Sequence, residues 1–159
     1  MRDYTSDMKS VVFCSSVRFK QELGAFINEL KRLAALEGLH PVILEPNFEE
    51  RPASFEQAHE KECLKDNFYK ETVGGKVYDH LFRKVRVADV CFIFNKDGYL
   101  GANTNGELFA AAIMGKMCYA LHPQTLMGTY PHDLYEEPSG NKLIHEVVQT
   151  PQDLLRRLV

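Results

Sequence analysis

The fold of this chain is decided by VCFIF at residues 90–94, an apolar run without any alternation of polar side chains. A second run of the same kind, MCYAL, occupies residues 117–121. Strands of a parallel sheet are buried on both faces and have this composition. Between the two runs, residues 104–114 have helical spacing, and Gly115 is placed to end that helix. The segment therefore predicts a βαβ unit with parallel strands.

The same alternation extends to both ends of the chain. Residues 10–14 and 41–44 are predicted strands, and apolar residues recur at helical spacing from Phe19 to Ala34. Residues 143–148 are a predicted edge strand, followed by a terminal helix that begins at Thr150-Pro151. These elements predict an α/β fold, a doubly wound parallel sheet in flavodoxin-like order with helices on both faces.

The remaining segments are less regular, and we expect a single domain over residues 1–159. Residues 1–9 are expected to be loose, and the Pro- and Gly-containing stretch 122–142 is a predicted loop or lid. A capping-box pattern at residues 54–57 predicts a helix to about residue 72, where Gly74-Gly75 would break it. Another helix is predicted over residues 77–87.

Composition excludes several kinds of partner. The net charge is -3 and basic residues do not cluster, which argues against a nucleic-acid polymer. No apolar run is long enough to cross a bilayer, and residues 1–7 lack a signal peptide's apolar stretch, so we expect no membrane association. Three of the four cysteines lie inside apolar runs, as in a reducing compartment, which favours a cytoplasmic protein.

The spacing of possible metal ligands in the sequence gives little support for a metal site. His59 and Cys63 stand one helical turn apart, but no complementary pair accompanies them. We therefore expect neither a metal site nor a cofactor.

Two predicted loops meet where the strand order of a flavodoxin-like sheet reverses, which is where ligands bind in open α/β sheets. The first loop carries Ser15, Ser16 and Arg18 at a helix start, where free backbone N–H groups and the helix dipole favour an anion such as phosphate. The alternative is that one of the two serines caps the helix while Arg18 is solvated.

The second loop follows residue 94 and contains Asp97, Gly98, Gly101 and Asn103. Its glycines permit positive φ angles or a close backbone approach to a ligand. Together with the first loop, these residues form the predicted substrate-binding crevice for a small molecule.

Glu107 is the candidate catalytic residue of this crevice. Near the first turn of a helix, its carboxylate would be kept ionised by the dipole and able to attack. The alternative is a capping box, since Thr104 and Glu107 have the Thr-x-x-Glu spacing.

Asp89 is a second candidate, because it directly precedes a buried strand. Its carboxylate could orient a ligand or hold a proton, or it could equally cap the end of the preceding helix. His80 has no evident partner in the sequence and is expected on the surface.

Four local motifs resemble the nucleoside 2-deoxyribosyltransferase-like superfamily, including its 2'-deoxynucleoside 5'-phosphate N-hydrolase branch. Residues 12–18 look like the first strand and the Gly-Ser-x-Arg phosphate loop of the hydrolases. Residues 87–91 look like the Ala-Asp step into a central strand. Residues 103–112 are similar to the Gly-Thr-x-x-Glu-x-Gly-x-Ala segment that bears the nucleophile, and residues 115–116 match its closing Gly-Lys.

The resemblance implies cleavage or transfer at the N-glycosidic bond of a nucleoside or nucleoside 5'-monophosphate. Glu107 would be the nucleophile, and Asp89 would protonate or orient the leaving base. Ser16 and Arg18 would bind a 5'-phosphate. Members of this superfamily are commonly dimers, so the resemblance also implies a homodimer or a higher homo-oligomer.

The chain departs from the superfamily pattern near the nucleophile. Gly101 stands where transferases have aspartate and hydrolases have serine, with Asn103 nearby as a substitute. Phe109 replaces a common glycine and would narrow the pocket or shift its packing. The alternative function is therefore a non-catalytic nucleotide-binding module on the same fold. A flavodoxin-like electron carrier is disfavoured, because the first loop lacks the expected threonine- and glycine-rich pattern.

Overall fold

The computed structural model describes residues 8–48, 65–123 and 138–159. A five-stranded parallel sheet has the order β2-β1-β3-β4-β5, which confirms the predicted flavodoxin-like arrangement. The strands are β1 (Val11–Cys14), β2 (Ile43–Leu44), β3 (Val90–Ile93), β4 (Met117–Ala120) and β5 (Glu146–Val147).

Helices cover both faces of this sheet, as predicted. They are α1 (Lys20–Leu36), α2 (Asn67–His80), α3 (Ala102–Ile113), α4 (Pro138–Leu143) and α5 (Pro151–Leu158). Short 3-10 turns at Val17–Phe19 and Lys96–Gly98 follow β1 and β3.

The core has one layer on each face of the sheet. On the face of α1 and α5, the rings of Phe13, Phe26 and Phe92 pack together, with centroids 5.2 to 6.0 Å apart. On the other face, Cys14, Cys91 and Cys118 pack with small and aliphatic side chains below α3. A fully buried phenylalanine is worth about 1.5 to 3 kcal/mol, so the aromatic layer anchors β1 and β3.

Helix ends follow the sequence signals closely in the first and last thirds of the chain. Gly38 and Gly115 have φ angles of 69° and 74°, as residues that close helices with a left-handed turn. Thr150 caps α5 by accepting a hydrogen bond from the backbone N–H of Asp153 at 3.1 Å.

The predicted break at Gly74-Gly75 is wrong. Helix α2 continues through both glycines to His80, and a π-helical segment extends it over Leu81–Val85. The backbone N–H of Arg86 bonds to the carbonyl of Leu81 at 3.0 Å, five residues back. Glycine lowers helix stability by about 1 kcal/mol relative to alanine without blocking the helix, so a helix can continue through both residues.

Two further expectations need correction. Residues 143–148 are not one strand, because α4 includes Leu143 and β5 covers only Glu146–Val147. The predicted 122–142 loop therefore ends in helix α4. The predicted helix start at residues 54–57 and most of the predicted lid, residues 124–137, lie outside the described residues, as do His59 and Cys63.

Within the described ranges, no helix combines the length and apolar character needed to cross a membrane.

The continuous helix α2 predicts that Gly74→Ala raises the free energy of unfolding by about 0.5 to 1 kcal/mol, because alanine loses less backbone entropy on folding. A Cβ at this position meets no atom of the described residues within 4 Å. Chemical denaturation measures the change.

The matched control is Gly115→Ala, which places alanine at a φ of 74° and should lower stability by about 1 kcal/mol. A loss of stability in Gly74→Ala similar to that of the control would contradict the continuous helix.

Candidate active site

The two loops predicted to form a crevice lie side by side at the carboxyl ends of β1 and β3. The Ser15 hydroxyl donates to the backbone carbonyl of Phe94 at 3.2 Å and joins them. Ser16 caps the 3-10 turn that follows, since its hydroxyl accepts from the backbone N–H of Arg18 at 3.4 Å. Both hydroxyls therefore shape the first loop.

Arg18 is half-buried and stacks on an aromatic ring. Its guanidinium carbon lies 3.6 Å from the ring centroid of Tyr99, which is buried and packs edge-on against Phe19. A guanidinium over a tyrosine face is attracted by the ring's quadrupole. The capping part of the alternative is confirmed at Ser16, and the Arg18 side chain, which is partly exposed, stacks on Tyr99 between the two loops.

The second loop is pinned to the end of β4 by Asn95 and His122. The Asn95 amide donates to the His122 carbonyl at 2.8 Å, and its oxygen accepts from the His122 N–H at 3.0 Å. The Asp97 N–H donates to His122 Nδ1 at 2.9 Å, which fixes the neutral His122 tautomer with the proton on Nε2. Asp97 and Gly98 adopt positive φ angles of 56° and 81°.

Glu107 lies one turn further into its helix than the sequence indicates. Helix α3 begins at Ala102 after Gly101, and within the described chain no side chain caps it. Glu107 is therefore in the second turn and only 7% exposed. Both the capping-box alternative and the first-turn placement are wrong, because the helix starts two residues before Thr104.

Three buried side chains meet beside the carboxyl end of β1. Cys14 Sγ lies 3.5 Å from His80 Nε2, and that nitrogen lies 3.9 Å from Glu107 Oε2. All three ligand-type atoms lie within 4.8 Å of one another. The expected surface position of His80 is wrong, since this residue is 5% exposed. Sequence reasoning missed this cluster because its members come from three distant elements.

Burial controls the electrostatics of the cluster. Burial raises the pKa of Glu107 to about 7, although a hydrogen bond with Cys14 lowers it in part. Burial lowers the pKa of His80 to about 4, with a further lowering by Lys84, and burial raises the pKa of the Cys14 thiol to about 12. The expectation that the helix dipole keeps Glu107 fully ionised is therefore wrong.

His80 has unused hydrogen-bonding capacity. A weak backbone interaction with Phe13 raises the pKa of His80. Its geometry falls short of a normal hydrogen bond, so Nδ1 has no hydrogen-bond partner among the described residues. Asn105 Oδ1, on α3, is likewise buried without a partner in the described ranges. Buried polar atoms are normally paired, and exceptions point to a functional role.

Asp89 lies at the opposite end of the sheet. It precedes β3, where it accepts hydrogen bonds from the Ser10 N–H at 2.7 Å and the Ser10 hydroxyl at 3.0 Å. These bonds, the backbone one first, lower the pKa of the exposed Asp89 carboxyl. Because the strands are parallel, the structure does not bring Asp89 to Glu107, and the residue ties β1 to β3 instead.

Three other residues named in the sequence analysis lie just before α3 or within it. Gly101 precedes the helix, and a Cβ there would meet the Tyr99 side chain at 3.6 Å, an ordinary contact. Asn103 is exposed. Phe109 is 42% exposed on the outside of α3, so the expected narrowing of the pocket by its ring is wrong.

A recess lies between α3 and α4. Its walls include Ile93, Asn95, Leu108, His122 and Ile144, but none of the three clustered residues. Among the described residues, these walls contain neither a carboxylate nor a thiol. The buried acid, imidazole and thiol therefore remain the candidate site.

Known proteins resemble this chain in structure but not in sequence. The sequence matches no protein-family model and no curated protein. The structure is similar to a conserved protein from Enterococcus faecalis, with a TM-score of 0.53 and 14% identity over 95% of this chain and 97% of the other. That likeness shows a shared fold over nearly the whole of both chains.

Two further solved structures are similar at lower scores. One is a 2-deoxyribosyltransferase from Bacillus psychrosaccharolyticus, with a TM-score of 0.47 and 15% identity over 92% of this chain and 90% of the other. The other is a CMP N-glycosidase from Clostridium botulinum, with a TM-score of 0.42 and 16% identity over 94% of this chain and 98% of the other.

The buried Glu107 carboxyl predicts a pH-dependent gain of stability in Glu107→Gln. Its pKa in the folded chain, about 7, exceeds its ordinary value of 4.5, so the folded state holds the proton more tightly. The stability from this group is fully present below pH 4.5 and is lost as pH rises through about 7. We subtract the free energy of unfolding of the wild type from that of Glu107→Gln. Above that pH range, this difference should be about 3 kcal/mol larger than it is in acid.

Urea denaturation at acidic and at alkaline pH measures this difference. Glu71→Gln, which changes an exposed carboxyl on α2, controls for loss of charge. A stability difference between Glu107→Gln and wild type that stays constant across the pH range would contradict the buried carboxyl.

Proposed function

We propose that this protein is an enzyme that cleaves or transfers the N-glycosidic bond of a nucleoside or nucleoside 5'-monophosphate, with Glu107 as the nucleophile. The observation that carries the proposal is the buried Glu107 carboxyl beside His80, at the carboxyl edge of the sheet where ligands bind in this fold. The motif around residues 103–112, similar to the nucleophile segment of the 2-deoxyribosyltransferase-like superfamily, supports the same role.

The proposed chemistry is double displacement. A Glu107 carboxylate oxygen attacks the anomeric carbon, and the bond to the base nitrogen breaks with its electron pair leaving on the base. The base takes up a proton from solvent, and the sugar remains as an ester of Glu107. Water, or an N–H of a second base, then attacks the same carbon, loses its proton to solvent and frees the carboxylate.

His80 supports this proposal as a neutral neighbour of Glu107. Its Nε2 is 3.9 Å from the carboxylate, and its lowered pKa keeps the imidazole neutral at pH 7. Because the pKa of Glu107 is the higher of the two, the proton that Glu107 loses before attack goes to solvent and not to His80. A neutral imidazole N–H that faces the carboxylate favours its ionised form and orients it for attack.

Arg18 supports a phosphorylated substrate. The guanidinium stacked on Tyr99 stands at the mouth between the two loops, where Ser15, Ser16 and backbone groups also lie. A guanidinium binds phosphate through two parallel hydrogen bonds. We therefore propose that a 5'-phosphate binds at Arg18, with Asp97, Gly98, Gly101 and Asn103 along the approach to the sugar and base.

The same proposal includes two further properties: the enzyme is cytoplasmic, and copies of the chain associate with one another. The exposed side chains of Tyr78 and Phe82 stack on each other with centroids 4.5 Å apart, and Ile113 on α3 is 89% exposed. Aromatic and aliphatic side chains of this kind are common in the contacts of homo-oligomers.

A non-catalytic nucleotide-binding module is the second candidate. The observation that favours it is the near closure of Glu107 from solvent, since a site that never opens to a sugar could not turn over. Binding of a nucleotide with no free base after long incubation would support this candidate over the first.

Replacement of the nucleophile gives the first functional prediction. Glu107→Gln keeps the shape of the side chain but removes its charge, and should lower base release from the best nucleotide substrate by about a thousandfold or more. Chromatography of the free base measures the rate.

Asp89→Asn is the matched control, because the same kind of change falls at the opposite end of the sheet. It should weaken the bonds to Ser10 and lower stability while the folded enzyme retains base release. Loss of activity in Asp89→Asn together with full activity in Glu107→Gln would reverse the proposed roles.

The pH profile gives the second functional prediction. Because the attacking carboxylate must be ionised and the pKa of Glu107 is raised to about 7, kcat/KM should rise as pH increases through that value and then level off. Steady-state rates from about pH 5 to about pH 9 measure it. A rate already at its plateau near pH 5 would exclude a carboxyl with this pKa as the nucleophile.

A further inference from the structure

We infer that Cys14, His80 and Glu107 form a binding site for one divalent transition-metal ion of the zinc class. Their three donor atoms, a sulfur, an imidazole nitrogen and a carboxylate oxygen, lie within 4.8 Å of one another, and all three residues are buried. The site goes beyond the proposed function, which uses neither a metal nor the Cys14 sulfur.

The distances are close to those that a tetrahedral ion requires. Zinc bond lengths of about 2.0 to 2.3 Å place neighbouring ligand atoms about 3.4 to 3.6 Å apart. Cys14 Sγ and His80 Nε2 are 3.5 Å apart, and His80 Nε2 and Glu107 Oε2 are 3.9 Å apart. The third separation, between Cys14 Sγ and the Glu107 carboxylate, lies within 4.8 Å, so a rotation of the Glu107 side chain is needed to complete the geometry.

The donor set selects the class of metal. Thiolate and imidazole suit zinc, cobalt and related ions, whereas magnesium and calcium take oxygen ligands. Three protein ligands leave the fourth tetrahedral position for water or an added anion. His80 would bind through Nε2 and carry its proton on Nδ1, which has no hydrogen-bond partner among the described residues.

Charge balance favours the ion in this buried position. On binding, the Cys14 thiol and any protonated Glu107 release their protons to the buffer, and each anion forms one bond to the metal. Two negative ligands and one neutral imidazole then neutralise a dication. No net charge is left in the core, whereas a single ionised group there would be costly.

Occupancy has a consequence that rests on the proposed function. A metal bond to the Glu107 carboxylate uses the electron pair that would attack the sugar, so a bound ion should inhibit base release. The ion would therefore act as an inhibitor of the enzyme, with Cys14 as the residue that recognises it.

Cobalt(II) titration of the chelator-treated 159-residue chain tests the site without any substrate. We expect binding of one ion and a near-ultraviolet thiolate-to-cobalt charge-transfer band, which excess zinc removes. Cys14→Ser should abolish the band and weaken binding at least about 100-fold, since loss of a mere outer-sphere partner already costs about 10- to 100-fold. Cys118→Ser, at another buried cysteine on the same face of the sheet, should retain the band.

Glu107→Gln provides a second variant if Cys14→Ser fails to fold. It should keep the sulfur-to-cobalt band but bind cobalt at least about 10-fold more weakly. Absence of the band in the wild type, or its loss in Cys63→Ser with retention in Cys14→Ser, would overturn the proposal.

Activity assays separate this inference from the proposed function. Zinc should inhibit the wild type more strongly than Cys14→Ser, with each rate compared with its own chelated value. A cobalt band without base release from any nucleotide would refute the proposed function and leave the metal site standing. Base release unaffected by zinc, with no cobalt band, would refute the metal site alone.

Discussion

The Glu107 carboxyl is held out of water beside Cys14 and His80, and no arginine or lysine is among the causes that shift its pKa. A buried carboxyl without a cation keeps its proton to a higher pH than an exposed one. The folded chain accepts this cost because the apolar side chains of α3, such as Leu108 and Ala111, bury well against the sheet. A buried ionisable group that lowers the stability of the folded chain in this way is characteristic of sites that perform chemistry.

The parallel sheet explains why the cluster lies where it does. Parallel pairing of β1 with β3 brings the carboxyl ends of both strands to the same edge. Cys14 is the last residue of β1, the loop that follows β3 leads into α3, and the end of α2 delivers His80 to the same place. The Asn95–His122 hydrogen bonds fix the loop between β3 and α3, and so fix the start of the helix that carries Glu107.

Much of this arrangement could be predicted from sequence. Continuous apolar runs identify buried parallel strands, and the switch point then places Ser15, Arg18 and the segment after residue 94 on one edge. The position of Asp89 was predictable in principle, since a residue before a parallel strand lies at the amino edge.

His80 could not be found by the same reasoning. Its environment depends on α2 passing through two glycines and on the π-helical segment after it, where the chain bonds five residues back. Single π-helical turns arise from tertiary packing, often occur at functional sites and have no sequence period of their own. The helix start at Ala102 was missed for a related reason, since Gly101 precedes it and offers no side chain as a signal.

In the proposed function, Glu107 attacks the sugar of a nucleotide. Intact mass spectrometry with peptide mapping, after incubation with a 2-fluoro-2-deoxy sugar analogue of the best substrate, tests it directly, because the fluorine slows hydrolysis of the glycosyl-enzyme. We expect one added sugar on the peptide that contains Glu107, and none in Glu107→Gln. A sugar attached to another residue, or base release from the analogue without any adduct, would contradict it.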